Sequence, residues 1–171
     1  MKYFKVLFLA FTLTMMSSCS NDDDDNPVNN VKLLGTWKGV SVDYTSTTTY
    51  KFDGEFFVIE AVGRGYDVNY TITLAEPNLL TSKGAYNIEL TSIVLGQTQV
   101  RNIENLEFTS DGTWSRNGND LMIVADKDTQ NFNITELSES AMTLVTEDKV
   151  TIVEQGVTNV VTIKLIATYK R

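Results

Sequence analysis

Hydrophobic and polar residues alternate with a period of two along most of this chain. Over residues 66–74 every second residue is apolar, and aspartate, asparagine or threonine occupies the positions between. The same alternation runs through residues 86–90 and, most clearly, through residues 161–169. A period of two is typical of half-buried β-strands, whose successive side chains point to opposite faces of a sheet. These three segments are therefore predicted to be strands.

Further strands fit between the turn signals of the chain. Threonine and β-branched residues are frequent throughout, as pleated sheets favour. Turn sequences such as Asp53-Gly54 and Gly63-Arg64-Gly65 separate the apolar runs. The apolar positions change phase after residue 90, which predicts a β-bulge near Thr91-Ser92. The remaining strands are predicted at residues 34–44, 50–60, 98–109, 120–125, 130–136, 141–147 and 149–154.

Short strands joined by tight turns indicate a barrel or a sandwich, and their even spacing from hairpin to hairpin favours the closed form. No window of a dozen residues has the period of an amphipathic helix. The predicted fold class is all-β, a single antiparallel up-and-down β-barrel of about 8–10 strands over residues 31–171. A domain of this length buries about two-thirds of its unfolded surface.

The start of the chain follows a different pattern. Two lysines within residues 1–5, an apolar run over residues 6–16 and the small Ser17-Ser18 predict a secretory signal peptide over residues 1–18. The apolar run is too short for a membrane span, which needs about 20 residues. Residues 19–30 contain a block of aspartates and no apolar periodicity, which predicts an acidic disordered tether.

The single cysteine, Cys19, lies directly after the predicted cleavage site. Met16-Ser17-Ser18-Cys19 resembles a bacterial lipobox, with Met16 where leucine is usual. The resemblance implies a lipoprotein whose Cys19 carries fatty acids, palmitate among them, and becomes the N-terminus that holds the protein on a membrane. Three acyl chains anchor permanently, since each buried methylene contributes roughly 0.8 kcal/mol. The alternative is a secreted protein with a cysteine there by chance.

The residues that follow Cys19 resemble the short acidic export signal of surface-displayed lipoproteins in some Gram-negative bacteria. The residues that carry this resemblance are Ser20, Asp22, Asp23, Asp24 and Asp25. The resemblance implies a location in the outer membrane, on the cell-surface side. The alternative is that the aspartates form only a solvated spacer.

Composition excludes several kinds of chemistry. The chain has no histidine and no cysteine besides Cys19. Disulfides within the chain, Ser-His-Asp and Cys-His nucleophile pairs, and metal sites built on imidazole or thiolate are therefore excluded. The net charge of −8, without a basic cluster, makes nucleic acid a poor partner. The protein is predicted to have no cofactor and no catalytic residue, and not to be an enzyme.

Two groups of acids have simpler explanations than a site. Asp126-Lys127-Asp128 lacks the glycine and the distal glutamate of a calcium-binding loop, so a turn between two strands is predicted there. Glu104 and Glu107 fall on opposite faces of a predicted strand and make a poor catalytic pair. No metal site is predicted.

The domain opens with Gly35-Thr36-Trp37. This Gly-x-Trp resembles the first signature of the lipocalin and calycin superfamily, in which the glycine allows a tight turn and the tryptophan closes one end of the barrel. Later segments resemble the recurring strands of small bacterial lipocalin-like lipoproteins, namely Phe108-Thr109-Ser110-Asp111-Gly112-Thr113-Trp114, Gly118-Asn119-Asp120-Leu121-Met122-Ile123, Phe132-Asn133-Ile134-Thr135-Glu136-Leu137 and Met142-Thr143-Leu144. The resemblance covers residues 33–171 and implies a lipocalin-like barrel, but not a ligand.

Fatty-acid-binding relatives end with Arg-x-Tyr, whose two side chains hold a carboxylate. Here the chain has Ala167-Thr168-Tyr169, so the arginine is missing. A carboxylate would need another cation, and Arg64, Arg101 and Lys164 cannot be placed from the sequence. No fatty acid is therefore predicted.

Aromatic residues recur along the predicted strands. An eight-stranded barrel is wide enough either to be filled by its own side chains or to hold one small ligand. The candidate ligand-binding residues are Tyr66, Tyr70, Tyr86, Trp114 and Tyr169. Two functions remain open: binding of a small hydrophobic or amphipathic ligand, or a non-catalytic structural or interaction role with a filled barrel. The sequence identifies no protein partner.

Overall fold

The computed structural model describes residues 33–126, 128–154 and 157–171. The predictions for residues 1–18 and 19–30, with Cys19 and the acidic run, lie outside the described residues. The part of the chain that the structure describes has no helix suited to crossing a membrane. Its nine strands are β1 (Gly35–Phe52), β2 (Glu55–Ala75), β3 (Leu79–Val94), β4 (Gln97–Leu106), β5 (Gly112–Asn117), β6 (Asp120–Ala125), β7 (Asp128–Leu137), β8 (Ala141–Glu154) and β9 (Val157–Lys170).

All nine strands form one antiparallel sheet whose hydrogen bonds close into a ring, since β9 returns to pair with β1. β4 and β5 lie along the same edge of β3, where β4 pairs with residues 86–94 and β5 with residues 79–80. They act as one interrupted strand, which gives the up-and-down order of an eight-membered ring. The predicted all-β barrel class is confirmed.

Residues 107–111 interrupt the strand between β4 and β5, and side chains replace part of the backbone ladder there. The carboxylate of Asp111 accepts a hydrogen bond from the Ser82 N–H at 2.7 Å. Just before this segment, within β4, the Asn105 N–H donates to the side-chain oxygen of Asn87 at 3.0 Å, at the register shift between Tyr86 and Ile88. Side chains thus supply partners for two backbone N–H groups where the ladder is irregular.

The longer strands extend beyond the closed ring. β7 pairs with β8 only at residues 142–145, whereas β8 pairs with β9 along its whole length. The six extended strands therefore form an open sheet in the order β4-β3-β2-β1-β9-β8. We call this part the upper sheet (residues 44–52, 55–63, 90–94, 97–101, 146–154 and 157–165) and the remainder the lower ring.

The core fills the lower ring. Alternating side chains of every ring strand point inward, and most of these inward residues are almost completely buried, as expected for half-buried strands with one apolar face. The core consists of Leu33, Trp37, Val42, Tyr70, Ile72, Leu74, Leu80, Tyr86, Ile88, Phe108, Trp114, Leu121, Ile123, Phe132, Ile134, Met142, Leu144, Ala167 and Tyr169.

Three predicted breaks are absent from the described strands. The predicted turn at Gly63-Arg64-Gly65 lies inside β2, residues 45–49 between two predicted strands belong to β1, and residues 141–147 and 149–154 belong to one strand, β8. A Cβ added to Gly65 would lie 2.8 Å from the carbonyl oxygen of Val42. Glycine at this position therefore permits a close approach of β1 to β2 and does not mark a turn.

The bulge predicted near Thr91-Ser92 is wrong. β3 keeps an unbroken register with β2 and β4 at these residues, and its irregularities lie at Tyr66/Asn69 and Tyr86/Ile88. The apparent change of phase has another cause, because Ile93 lies on the outer face of β3 and is 50% exposed. An apolar residue on the solvent side changes the phase of the apolar positions in the sequence in the same way as a bulge would.

Candidate functional site

Three of the predicted ligand-binding residues meet in the lower ring. Tyr70 stacks on Phe108 with ring centroids 5.2 Å apart, and Tyr169 stands edge-on to both rings at 5.8 and 5.7 Å. The ring centroids of Tyr86 and Tyr70 lie 5.6 Å apart, and those of Phe132 and Phe108 lie 5.8 Å apart. These are the distances of rings in direct contact, so the aromatic side chains pack on one another and fill the space.

The other two predicted residues make no ring contact with this aromatic group in the described part of the chain, although Trp114 belongs to the same core. Trp114 is buried, and its indole N–H donates to the carbonyl oxygen of Ala75 at 3.3 Å. Tyr66 is half-buried and lies opposite Asn87 on the outer side of the sheet. Desolvation, and then the carboxylate of Glu104, raise the pKa of Tyr66. The structure thus does not bring the five predicted residues into one pocket.

The hydroxyls of Tyr70 and Tyr169 are buried without a hydrogen-bond partner among the described residues. They lie near each other, since each affects the other's pKa, but their geometry does not form a regular bond. Desolvation raises the pKa of both phenols, most strongly that of Tyr169. Both residues therefore stay neutral at ordinary pH.

Gly35 and Trp37 lie together at the end of the ring where β1 begins. The Trp37 indole is fully buried and donates its N–H to the carbonyl oxygen of Leu33 at 2.8 Å. The guanidinium of Arg171 lies 4.1 Å from the centroid of the Trp37 ring and also donates to the carbonyl oxygen of Leu34. Sequence reasoning did not find this role of Arg171, because the contact joins the two ends of the domain.

The inner face of the upper sheet forms an open cup. Strand register shows which residues share this face, because directly paired residues point to the same side. Val42 is buried in the ring, and every second residue after it on β1, with its partners on β2 and β9, continues the same face. Among the side chains that the structure describes, the apolar ones of the cup are Tyr44, Tyr50, Phe57, Ile59, Ala61, Leu90, Val94, Val150, Val161, Ile163 and Leu165.

These cup residues are half-buried, except Val150, which is 40% exposed, whereas those of the lower ring are nearly inaccessible. Tyr50 and Phe57 stack at the rim with ring centroids 5.3 Å apart. At the floor, a Cβ on Gly63 would lie 3.0 Å from Ile88 and 3.1 Å from Tyr44. Glycine there lets Tyr44 and Ile88 pack across the space between the cup and the aromatic core.

Strand register also places the three cations that the sequence left open. Arg101 is paired with the cup residue Leu90 and therefore lies on the inner face. Arg64 is paired with the exposed Asp43 and Glu89, and Lys164 with the exposed Thr45, so both lie on the outer face. Within the described residues the guanidinium of Arg101 has no hydrogen-bond or ion-pair partner.

Two open surface pockets flank residues 107–111. Their volumes are about 190 and 500 Å³, and both are lined by Glu107, Thr109, Ser110 and Asp126. Asp126 lies in the predicted turn between β6 and β7, where it accepts a hydrogen bond from Ser110 at 2.5 Å. In the described ranges no three acidic side chains are close enough to hold a metal ion.

The sequence analysis did not predict the cup, because the cup exists only where some strands extend beyond the ring. Tyr50, Phe57 and Ile59 fall in a segment that was predicted as strand, but nothing in it shows that the strand extends beyond the ring. The contrast between β2, with 21 residues, and β6, with 6, is the signal that reveals an open upper part.

Comparison with known proteins gave no match for this chain. Protein-family models, curated proteins and solved structures were all searched, and none matches the chain.

Proposed function

We propose that this protein is a lipocalin-like lipoprotein, anchored through Cys19 on the surface side of a bacterial outer membrane, that holds a small hydrophobic or amphipathic ligand in the cup. It binds its ligand and does not transform it. The aromatic group of Tyr70, Tyr86 and Tyr169 forms the packed base beneath this site.

One observation carries the proposal, namely an apolar inner face that the described chain leaves half open. Ile59, Val161 and Ile163 face inward like core residues but keep part of their surface accessible. Burying apolar surface is worth roughly 25 cal/mol per Å². A ligand that covers these residues gains this free energy, whereas no comparable space supports binding among the stacked rings below.

An amphipathic ligand fits the cup better than a purely apolar one. Ser46, Thr48 and Asn159 alternate with the apolar residues of the inner face, and Arg101 adds a positive charge beside Leu90 that no described residue pairs with. Ligand sites are typically apolar with a few polar groups that fix the orientation.

The course of the chain agrees with a membrane anchor. Leu33, the first described residue, lies beside Trp37 in the lower ring, and the cup opens at the other end of β1. A lipid on Cys19 would therefore hold the protein by its closed end, with the cup directed away from the membrane.

A second function is favoured by the filled lower ring. If the cup stays empty, the protein is a non-catalytic structural or interaction lipoprotein that acts through its outer surface. The observation in its favour is the direct stacking of Tyr70 on Phe108, which leaves the ring interior to side chains.

Ligand binding in the cup can be tested by filling the cup with a large side chain. Ala61 lies on the inner face between Ser46 and Ser92, and its neighbour Val62 lies on the outer face. Ala61→Trp should weaken binding of the fluorescent probe anilinonaphthalene sulfonate by about tenfold or more, since the indole occupies the apolar space. Val62→Trp is the matched control and should leave binding unchanged.

Native mass spectrometry of protein purified from its own host completes the test. An apolar or amphipathic molecule bound in one copy per chain, and lost in the Ala61→Trp variant, supports the binding function. Equal probe binding by both variants, together with an empty native protein, would reject it in favour of the interaction role.

A further inference from the structure

The upper sheet has two strand edges that no described strand covers. β4 pairs only with β3, and β8 beyond Val145 pairs only with β9. An uncovered edge presents unpaired N–H and C=O groups and is a template for pairing with another strand. The two edges differ in how they are protected.

The β8 edge carries the usual protection against such pairing. Glu147, Asp148 and Lys149 follow one another directly and are all exposed. Charged side chains along an edge disfavour the approach of another strand. We therefore expect the β8 edge to remain unpaired.

The β4 edge has little of this protection. Its residues 97–103 stay in regular register with β3, contain no proline and carry a single charge, on Arg101. Val100, at the middle of this segment, lies on the outer face and is 61% exposed. On the same face, Ile93, which is 50% exposed, lies diagonally across from it on β3, and Val62, which is 45% exposed, lies on β2 with Thr91 between the two valines. Exposed apolar side chains therefore reach the open edge.

We propose that β4 pairs antiparallel with β4 of a second copy of this chain, about a two-fold axis at Val100. Paired residue numbers then sum to 200, so Val100 meets Val100 of the copy, Gln99 meets Arg101, and Thr98 meets Asn102. Every such pair joins residues of the same face, as antiparallel pairing requires.

This register also separates the charges. Each Arg101 lies opposite the neutral Gln99 of the other copy, and like charges directly opposite each other would be destabilising. The apolar patches around Val100 join into one surface across the axis. The product is a continuous sheet with two cups side by side.

The dimer is weak. A single strand edge covers less than the about 1,200–2,000 Å² of a standard stable interface. Association therefore depends on concentration, which tethering to a membrane would raise. The pairing itself does not depend on the proposed ligand.

Cysteine cross-linking tests the axis directly. In the full chain with Cys19→Ser, Val100→Cys is the only thiol, and its copies would have Cβ atoms about 4.5–5.5 Å apart, near the reach of a disulfide. Asn102→Cys is the control, because its copies would be about 13 Å apart. Mild oxidation should cross-link the first variant and not the second. A mixture of Thr98→Cys and Asn102→Cys should give mixed dimers.

Sedimentation of the protein without cysteine changes tests the association. Val100→Lys opposes two charges at the axis and should weaken dimerisation by about tenfold or more. Val153→Lys, at an outer position of β8 that is 67% exposed, should not. A monomer at every concentration, cross-linking through residue 102 alone, or a dimer that forms only after deletion of residues 20–32 would each overturn the proposal.

Discussion

At the residue scale, Trp37 makes two contacts at the end of the ring where β1 begins. It is fully buried, donates its indole N–H to Leu33 and supports the guanidinium of Arg171. A tryptophan suits this position because one side chain supplies both a large apolar surface and a hydrogen-bond donor.

Trp37→Ala is expected to lower the free energy of unfolding by about 3–5 kcal/mol, the usual loss for truncating a large buried aromatic residue. Urea denaturation followed by circular dichroism measures it. Trp37→Phe is the control and should lose less, because the ring remains and only the bond to Leu33 disappears. Equal stability of wild type and Trp37→Ala would show that the side chain is not part of the core.

For Tyr70→Phe, in contrast to Trp37→Ala, we expect little or no loss of stability. The Tyr70 hydroxyl is buried without a hydrogen-bond partner among the described residues, so Tyr70→Phe removes a desolvated polar group and breaks no hydrogen bond of that part of the chain. The free energy of unfolding should rise or change by less than about 1 kcal/mol. A loss of about 2 kcal/mol or more in the same denaturation experiment would mean that this hydroxyl is hydrogen-bonded in the folded protein.

The raised pKa values of Tyr70 and Tyr169 predict a loss of stability in alkali. The unfolded chain loses these protons near pH 10.0, whereas the folded protein keeps them. Above about pH 10 the folded state therefore holds more protons, and the free energy of unfolding falls as pH rises. Thermal melting between pH 8 and 11 should show this fall. The double variant Tyr70→Phe, Tyr169→Phe should show a flatter profile, and an unchanged slope would contradict the assignment.

At the scale of elements, the register of β2 against β3 depends on Gly84. Its φ is +92°, and a Cβ there would lie 2.1 Å from the carbonyl oxygen of Asn69, beside the irregularity at Tyr66/Asn69. The strand can bend at this point only because no side chain lies between the two backbones.

Gly84→Ala should therefore lower the free energy of unfolding by about 3 kcal/mol or more, because backbone must move. Gly96→Ala distinguishes the steric clash of a Cβ with neighbouring backbone from the cost of a positive φ alone. Gly96 has a φ of +77° and nothing within 4 Å, so only the left-handed conformation costs energy, about 1–2 kcal/mol. Urea denaturation of both variants gives the difference, and equal losses would remove the argument for close approach.

At the scale of the whole molecule, the proposed tether joins the closed end of the barrel to a lipid. Cys19→Ser should release the protein from the membrane or leave it unprocessed, because the acylated thiol is lost. Fractionation of cells measures this, and mass spectrometry of the wild-type N-terminus should show acylation. An unmodified Cys19 at a mature N-terminus would refute anchoring.

Surface display needs a separate experiment. If the acidic run is an export signal, as proposed, replacing Asp22, Asp23, Asp24 and Asp25 by alanine should protect the protein from protease added to intact cells. The same replacement should leave acylation unchanged, which distinguishes sorting from anchoring. If protease still reaches the protein, the acidic run is only a spacer.

The sequence by itself determined the fold class. Period-two patterning over residues 66–74, 86–90 and 161–169 predicted strands that the structure contains, because side chains that alternate between core and solvent follow from the pleat. The burial of Tyr70 and Tyr169 follows from the same alternation.

Only the tertiary structure decided how far the strands extend and what their inner face encloses. The sequence pattern looks the same whether an inward residue meets other side chains, as Tyr70 meets Phe108, or lines an open cup, as Ile59 does. That difference depends on the register between strands distant in sequence and on the unequal lengths of β2 and β6. Alternation fixes the face of a residue only where the register is unbroken, since the irregularity at Tyr66/Asn69 places Tyr66 and Tyr70 on opposite faces. Whether an inward residue is buried depends on the strands across the barrel.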